Sequence, residues 1–157
     1  MQNALKSGFS FGLTSGVITT LGLMVGLVYS TDSKLAVVAG IITIAVADAC
    51  SDALGMHISQ EAENIHTTKQ VWQATGSTFI AKLLVALTFL APVVFLPLMT
   101  AVVLAVAWGL LLIIILSYLM ARQEKVPPYK VIGEHLAIAV LVIIATKLVG
   151  DAIRTWF

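Results

Sequence analysis

Charge is what this sequence has least of. Only 11% of its residues are Asp, Glu, Lys or Arg, against about 25% in a soluble domain. Hydrophobic residues make up 59%, and the mean hydropathy is +1.02. A soluble globular domain is excluded, and the chain belongs in a bilayer. The formal net charge of +1 excludes the basic excess of a nucleic-acid binder. A single cysteine, Cys50, excludes an internal disulfide; it lies off the acidic stripe described below and reads as helix packing. Lys6 leads into a long apolar run with no small-residue cleavage pattern in a polar setting, which reads as a retained first span and not a cleaved signal.

The length fits one domain of about five spans of roughly 20 residues each. The expected spans are 9–30, 35–59, 75–95, 98–120 and 131–150, an all-α membrane protein. No charged residue occurs from Leu83 to Ala121, and as one helix that run would reach about 58 Å across a hydrocarbon core of about 30 Å. It has to turn, and Pro92 with Pro97 marks where, because proline removes a helical hydrogen bond and crowds the preceding turn. Residues 60–70 form a polar connector long enough to prolong the second helix, and residues 122–130, with Pro127 and Pro128, form a second polar loop. With five spans, Lys6, Lys69, Arg122, Lys125 and Lys130 share one side and Lys34 with Arg154 the other. The positive-inside rule puts the N-terminus in the cytoplasm and the C-terminus outside.

In the first span, Gly8, Gly12, Ser15, Gly16, Thr19, Gly22 and Gly26 share one helical stripe. Small residues on one side let another backbone approach, so this is a helix-packing or dimer face.

The second span carries ADACSDALGMHISQEAE, from Ala47 to Glu63. At 100° per residue Asp48, Asp52, Gly55, Met56, Ser59 and Glu63 fall on a stripe about 100° wide. Intramembrane carboxylates are costly and demand protein, water or a counter-charge. Lys82 lies about 10 Å inside the third span, at a depth similar to that of Asp52, and is a candidate ion-pair partner. One lysine does not neutralise two carboxylates, so Asp48 needs Lys147 or another cation. His57 and Glu61 stand on the opposite side of the helix and read as a solvated face; Glu134 and His135 read as interface residues.

Two desolvated carboxylates one turn apart repel, so one of them should hold or share a proton, and an arriving divalent cation should displace it. That is the logic of a metal/proton exchanger. The Met56 sulfur tilts the choice toward Fe²⁺ or Mn²⁺ and away from Mg²⁺ or Ca²⁺.

At these residues the chain resembles the vacuolar iron transporter family. The resemblance is carried by the Gly-rich SGVITTLGLMVGL (Ser15 to Leu27), by the second-helix motif and by the proline-broken turn between the third and fourth spans. It implies a dimer that exchanges Fe²⁺, and in some members Mn²⁺, for protons. Where the family has an Asp-Gly pair this chain has Ser15-Gly16, so the first-helix carboxylate of the ion path is replaced by a hydroxyl. Where the family reads roughly Ser-Met-Gly-Ala-Gly-Glu-Tyr, residues 51–57 read Ser-Asp-Ala-Leu-Gly-Met-His, with Asp48 as an additional acid. The family's Glu-rich cytoplasmic domain would fall in the 60–70 connector, which is too short for it; Glu61 and Glu63 stand there instead.

An intramembrane phosphatidyltransferase shares only the spacing of Asp48 and Asp52, since residues 40–47 lack the required upstream charges. Aspartyl proteolysis fails because both acids sit on one helix. The remaining rival is a non-transporting dimeric membrane protein, a sensor or assembly partner, with a structural Asp52–Lys82 pair. The leading expectation is a non-enzymatic homodimer, in a prokaryotic plasma membrane ahead of an organelle membrane, that exports Fe²⁺ or Mn²⁺ against protons and has no permanent cofactor. Asp48, Asp52 and Met56 would hold the metal, with Ser15, Gly55, Ser59 and Glu63 along the path or its entrance.

Overall fold

The structure, a computed structural model, describes residues 2–157, with side-chain surroundings from Ala4 onward. It is all-helical over those residues: α1 (Gln2–Thr31), α2 (Lys34–Ala62), α3 (Thr68–Thr88), α4 (Leu90–Phe95), α5 (Leu98–Glu124) and α6 (Pro128–Trp156). α3 and α4 together make one span, so five helical segments are long and apolar enough to cross a membrane. The helices run beyond the expected spans: α2 continues to Ala62, which shortens the first polar connector, and α6 begins at Pro128.

Local chemistry sets the breaks. Asp32, with φ 48°, closes α1, and the Ser33 hydroxyl accepts the Ala36 N–H at 3.3 Å to open α2. Thr67 and Gln70 form a reciprocal capping box at the start of α3. Lys125, with φ 58°, ends α5 in the left-handed conformation, and Pro128 starts α6 where a missing N–H costs nothing.

The two prolines expected to turn the third span into the fourth divide that task. Pro92 has no N–H for the Thr88 carbonyl, so the helix breaks at Phe89, whose N–H bonds back three residues to Ala86 at 3.1 Å. The chain continues as α4 and turns only at Leu96–Pro97. Lys34 Nζ donates to the Val94 and Leu96 carbonyls at 2.8 and 3.1 Å, partnering carbonyls that α4 leaves free.

α1 is the axis of the bundle and touches α2, α3, α5 and α6. The short links place sequential helices antiparallel beside one another. Its own Leu21 and Met24 are fully buried, as are Ile41, Phe89 and Ile113 from the surrounding elements, whereas α6 is largely uncovered.

The glycine stripe of α1 is a helix-packing face within the chain at Gly8, Gly12 and Gly16, one of the two alternatives expected of it. A methyl group on Gly12 would sit 2.5 Å from the Thr78 carbonyl oxygen, and one on Gly16 would sit 2.5 Å from Val85 Cγ1. On Gly8 it would run into the Ala74 carbonyl of α3. Gly22 and Gly26 face Val142 and Thr146 of α6 instead. The physical reason is that α3 carries its own small residues, Ala74, Ser77, Thr78 and Ala81, at the matching positions.

Gly12→Ala is therefore expected to cost about 1–3 kcal/mol through overpacking. Gly133→Ala, where an added methyl group meets nothing within 4 Å, should be neutral or slightly stabilising. Thermal unfolding of the two purified variants in detergent tests the contrast.

Candidate functional site

The close approach of α1 to α3 brings three helices to one point. From α3, Lys82 extends its stem along Gly16, where a methyl group would lie 3.1 Å from Lys82 Cγ. From α2, Ala45, Ala49 and Ala53 are buried and keep that helix close. Asp48 and Asp52, on the flank of the alanine row, reach the same ammonium group.

Lys82 Nζ lies 2.6 Å from Asp48 Oδ2, pairs with Asp52 Oδ2, and donates to Ser15 Oγ at 2.8 Å. Ser15 Oγ in turn donates to Asp52 Oδ2 at 2.7 Å. The Lys82 side chain is 2% exposed, and those of Asp48 and Asp52 are 24% and 20% exposed. Asp48 Oδ2 is a buried atom that accepts no hydrogen bond, because the contact with Nζ is close but poorly aligned. Two carboxylates against one ammonium leave the cluster one negative charge in excess.

Lys82 therefore serves both aspartates, not Asp52 alone. The suggestion that Lys147 completes the site is corrected: it pairs with Asp151 one turn along its own helix at 2.6 Å and lies 4.6 Å above the Tyr29 ring. That i,i+4 spacing was readable in the sequence. The part played by Ser15 was not, because a hydroxyl standing in for a carboxylate reads as a lost ligand until its two partners are seen.

The rest of the acidic stripe spreads out. Met56 is half-buried one turn beyond Asp52, Gly55 and Ser59 are exposed, and Glu63 lies past the end of α2 and pairs with His66 Nε2 at 3.1 Å. Among the described residues no three His, Cys, Asp or Glu side chains converge as a metal-ligand set. The oxygen donors that do converge are those of Asp48, Asp52 and Ser15.

His57 is not a solvated face. Thr75 Oγ1 donates to the Val71 carbonyl at 2.8 Å and so accepts from His57 Nδ1 at 2.9 Å, while the ring stands edge-on to Trp72. With Glu61, Asn64 and His66 it lines a cavity of about 190 Å³. His135 pairs with the buried Ser117 at 2.8 Å and so ties α6 to α5, while Glu134 is exposed. Cys50 is exposed on the outer face of α2, in a groove shared with Leu54 and Phe79, because the alanine row and not the cysteine faces α3.

Removing Lys82 alone strands two carboxylates, so Lys82→Met should destabilise the protein by about 3–5 kcal/mol. Adding Asp52→Asn still leaves Asp48 unpaired and should recover only part of that loss. The triple variant with Asp48→Asn should recover most of it, as read by thermal melting in detergent.

The sequence matches no family model, and no curated protein matches it.

Proposed function

We propose that this chain is a proton-coupled transporter of a divalent transition metal, Fe²⁺ or Mn²⁺, that moves the ion out of the cytoplasm as a homodimer. The observation that carries this reading is the charge imbalance at Asp48, Asp52 and Lys82, together with the buried Asp48 oxygen that accepts no hydrogen bond. A purely structural pair in a low-dielectric bundle is favoured when it is matched and fully hydrogen-bonded. This cluster is neither, and the missing positive charge is what a proton or a metal ion supplies alternately.

Asp48 and Asp52 act as the hard ligands and Ser15 as a neutral oxygen donor, with Met56 as the soft ligand one turn toward the cytoplasm. Ser59 and Glu63 line the entrance. In this topology the N-terminus and the 63–67 link are cytoplasmic and the C-terminus is outside. The second copy covers the apolar groove of about 600 Å³ between α1 and α6, lined by Ile18, Leu23, Val149 and Ile153.

A second reading is favoured by the completeness of the Lys82 contacts. Its ammonium is buried on both carboxylates and on Ser15, which suits a non-transporting dimeric membrane protein whose ion cluster fixes helix register.

Flux separates the two. In proteoliposomes with an imposed pH gradient, Fe²⁺ or Mn²⁺ uptake should exceed that of Mg²⁺, and Asp48→Asn should reduce it by about tenfold or more. No flux of any of these metals through a folded wild-type protein would favour the structural reading. Topology has its own test. In a Cys50→Ala background, Arg154→Cys should react with a membrane-impermeant maleimide from outside intact cells and Lys69→Cys only after permeabilisation.

A further inference from the structure

Where the cation would sit is already taken. Metal–oxygen bonds to carboxylates measure about 2.0–2.6 Å, and Lys82 Nζ stands 2.6 Å from Asp48 Oδ2 while pairing with the corresponding oxygen of Asp52. A metal bridging those two oxygens would coincide with the ammonium nitrogen. From this geometry we infer that Lys82 is a tethered competing cation: its ammonium fills the ion seat when the site is empty and has to withdraw before cargo is held. This inference rests on the metal reading proposed above and goes beyond it by naming the residue that sets affinity and release.

Three features support the role. The ammonium is held between the two carboxylate oxygens and also donates to Ser15, so it occupies the place that a cation bridging Asp48 and Asp52 would take. Ser15 is a neutral acceptor at 2.8 Å, a place for the ammonium to remain bonded once the carboxylates turn to another cation. The four-carbon stem of lysine is flexible, and it packs along Gly16, which presents no side chain of its own. The consequence is a site of limited affinity: cargo binds only by displacing an internal rival, and the returning ammonium expels it. For a transporter, release matters as much as capture.

The test is Mn²⁺ binding to the purified full-length protein in detergent, read by electron paramagnetic resonance and by the shift in melting temperature that Mn²⁺ produces. Lys82→Gln removes the rival charge and should bind Mn²⁺ about tenfold more tightly or better, with a larger Mn²⁺-dependent melting shift than the wild type shows. Lys82→Arg keeps the charge and should bind no more tightly than the wild type. Asp48→Asn added to Lys82→Gln should abolish the gain. A purely structural lysine predicts the opposite sign, because its removal damages the site. A folded Lys82→Gln with unchanged or weaker Mn²⁺ affinity overturns the inference, as does Lys82→Arg binding as tightly as Lys82→Gln. If Lys82→Gln is recovered folded only with Mn²⁺ in the buffer, the inference is supported. If it is not recovered at all, an Asp52→Asn background, with one carboxylate against the lysine, decides: adding Lys82→Gln there should raise Mn²⁺ affinity about two- to fivefold over Asp52→Asn alone, and an unchanged or lower affinity overturns the proposal. Absence of Mn²⁺ binding in the wild type and in every variant would overturn the metal reading itself. Binding in the wild type without the Lys82→Gln gain would overturn only the competitor.

Discussion

One buried ammonium shared by two carboxylates is the constraint on which the rest of the bundle depends. Lys82 brings its charge into a site with almost no access to water, and the cost of that transfer is several kcal/mol unless counter-charges and acceptors meet it. They come from two other helices, Asp48 and Asp52 from α2 and Ser15 from α1. The relative register of α1, α2 and α3 is thereby fixed, since a shift of one residue on any of them would separate a charge from its partner. Apolar contacts between these helices do not impose such a register, because in lipid a slid leucine finds an equivalent environment.

The glycines of α1 serve that same point. Ser15 can touch both Lys82 and Asp52 only if α1 and α3 approach closely, and Gly8, Gly12 and Gly16 clear the way along the line of contact. Above that line the stripe changes partner, and Gly22 with Gly26 turns to α6. One helix thus packs against α3 along its N-terminal half and α6 along its C-terminal half, with its apolar side filled by Leu21, Met24 and Val25. The weak covering of α6, and the groove beside Gly26 and Gly150, are the counterpart of that division.

The membrane-spanning character, the number of spans and the positions of the turns were legible because hydrophobic length and proline chemistry act locally. The stripe of Asp48 and Asp52 was legible because helical periodicity places them together without tertiary knowledge. What the chain hid was which groups oppose them. Lys82 and Lys147 both lie inside spans, and the choice between them depends on which helix lies next to α2, a matter of tertiary packing. The pairing of Lys147 with Asp151 was locally visible and would have removed it as a candidate. The rest of the stripe shares a face of α2 with the carboxylates but not their surroundings, since Met56 is half-buried and Gly55 and Ser59 are exposed. Glu63 meets His66 in the link, far along the chain from the carboxylates.

Counting charge discriminates better than counting ligands here. A register-fixing device has no use for the second carboxylate, since Asp52, Ser15 and Lys82 already close a hydrogen-bonded triangle. Asp48 adds a negative charge that the triangle does not need and a buried oxygen that Lys82 Nζ approaches at 2.6 Å without an aligned hydrogen bond. Left unmatched, that charge weakens the bundle; matched by a second lysine, it would have locked the site. The arrangement lies between the two: a site one formal positive charge short of neutral, already holding a cation, and on that imbalance the proposed exchange rests.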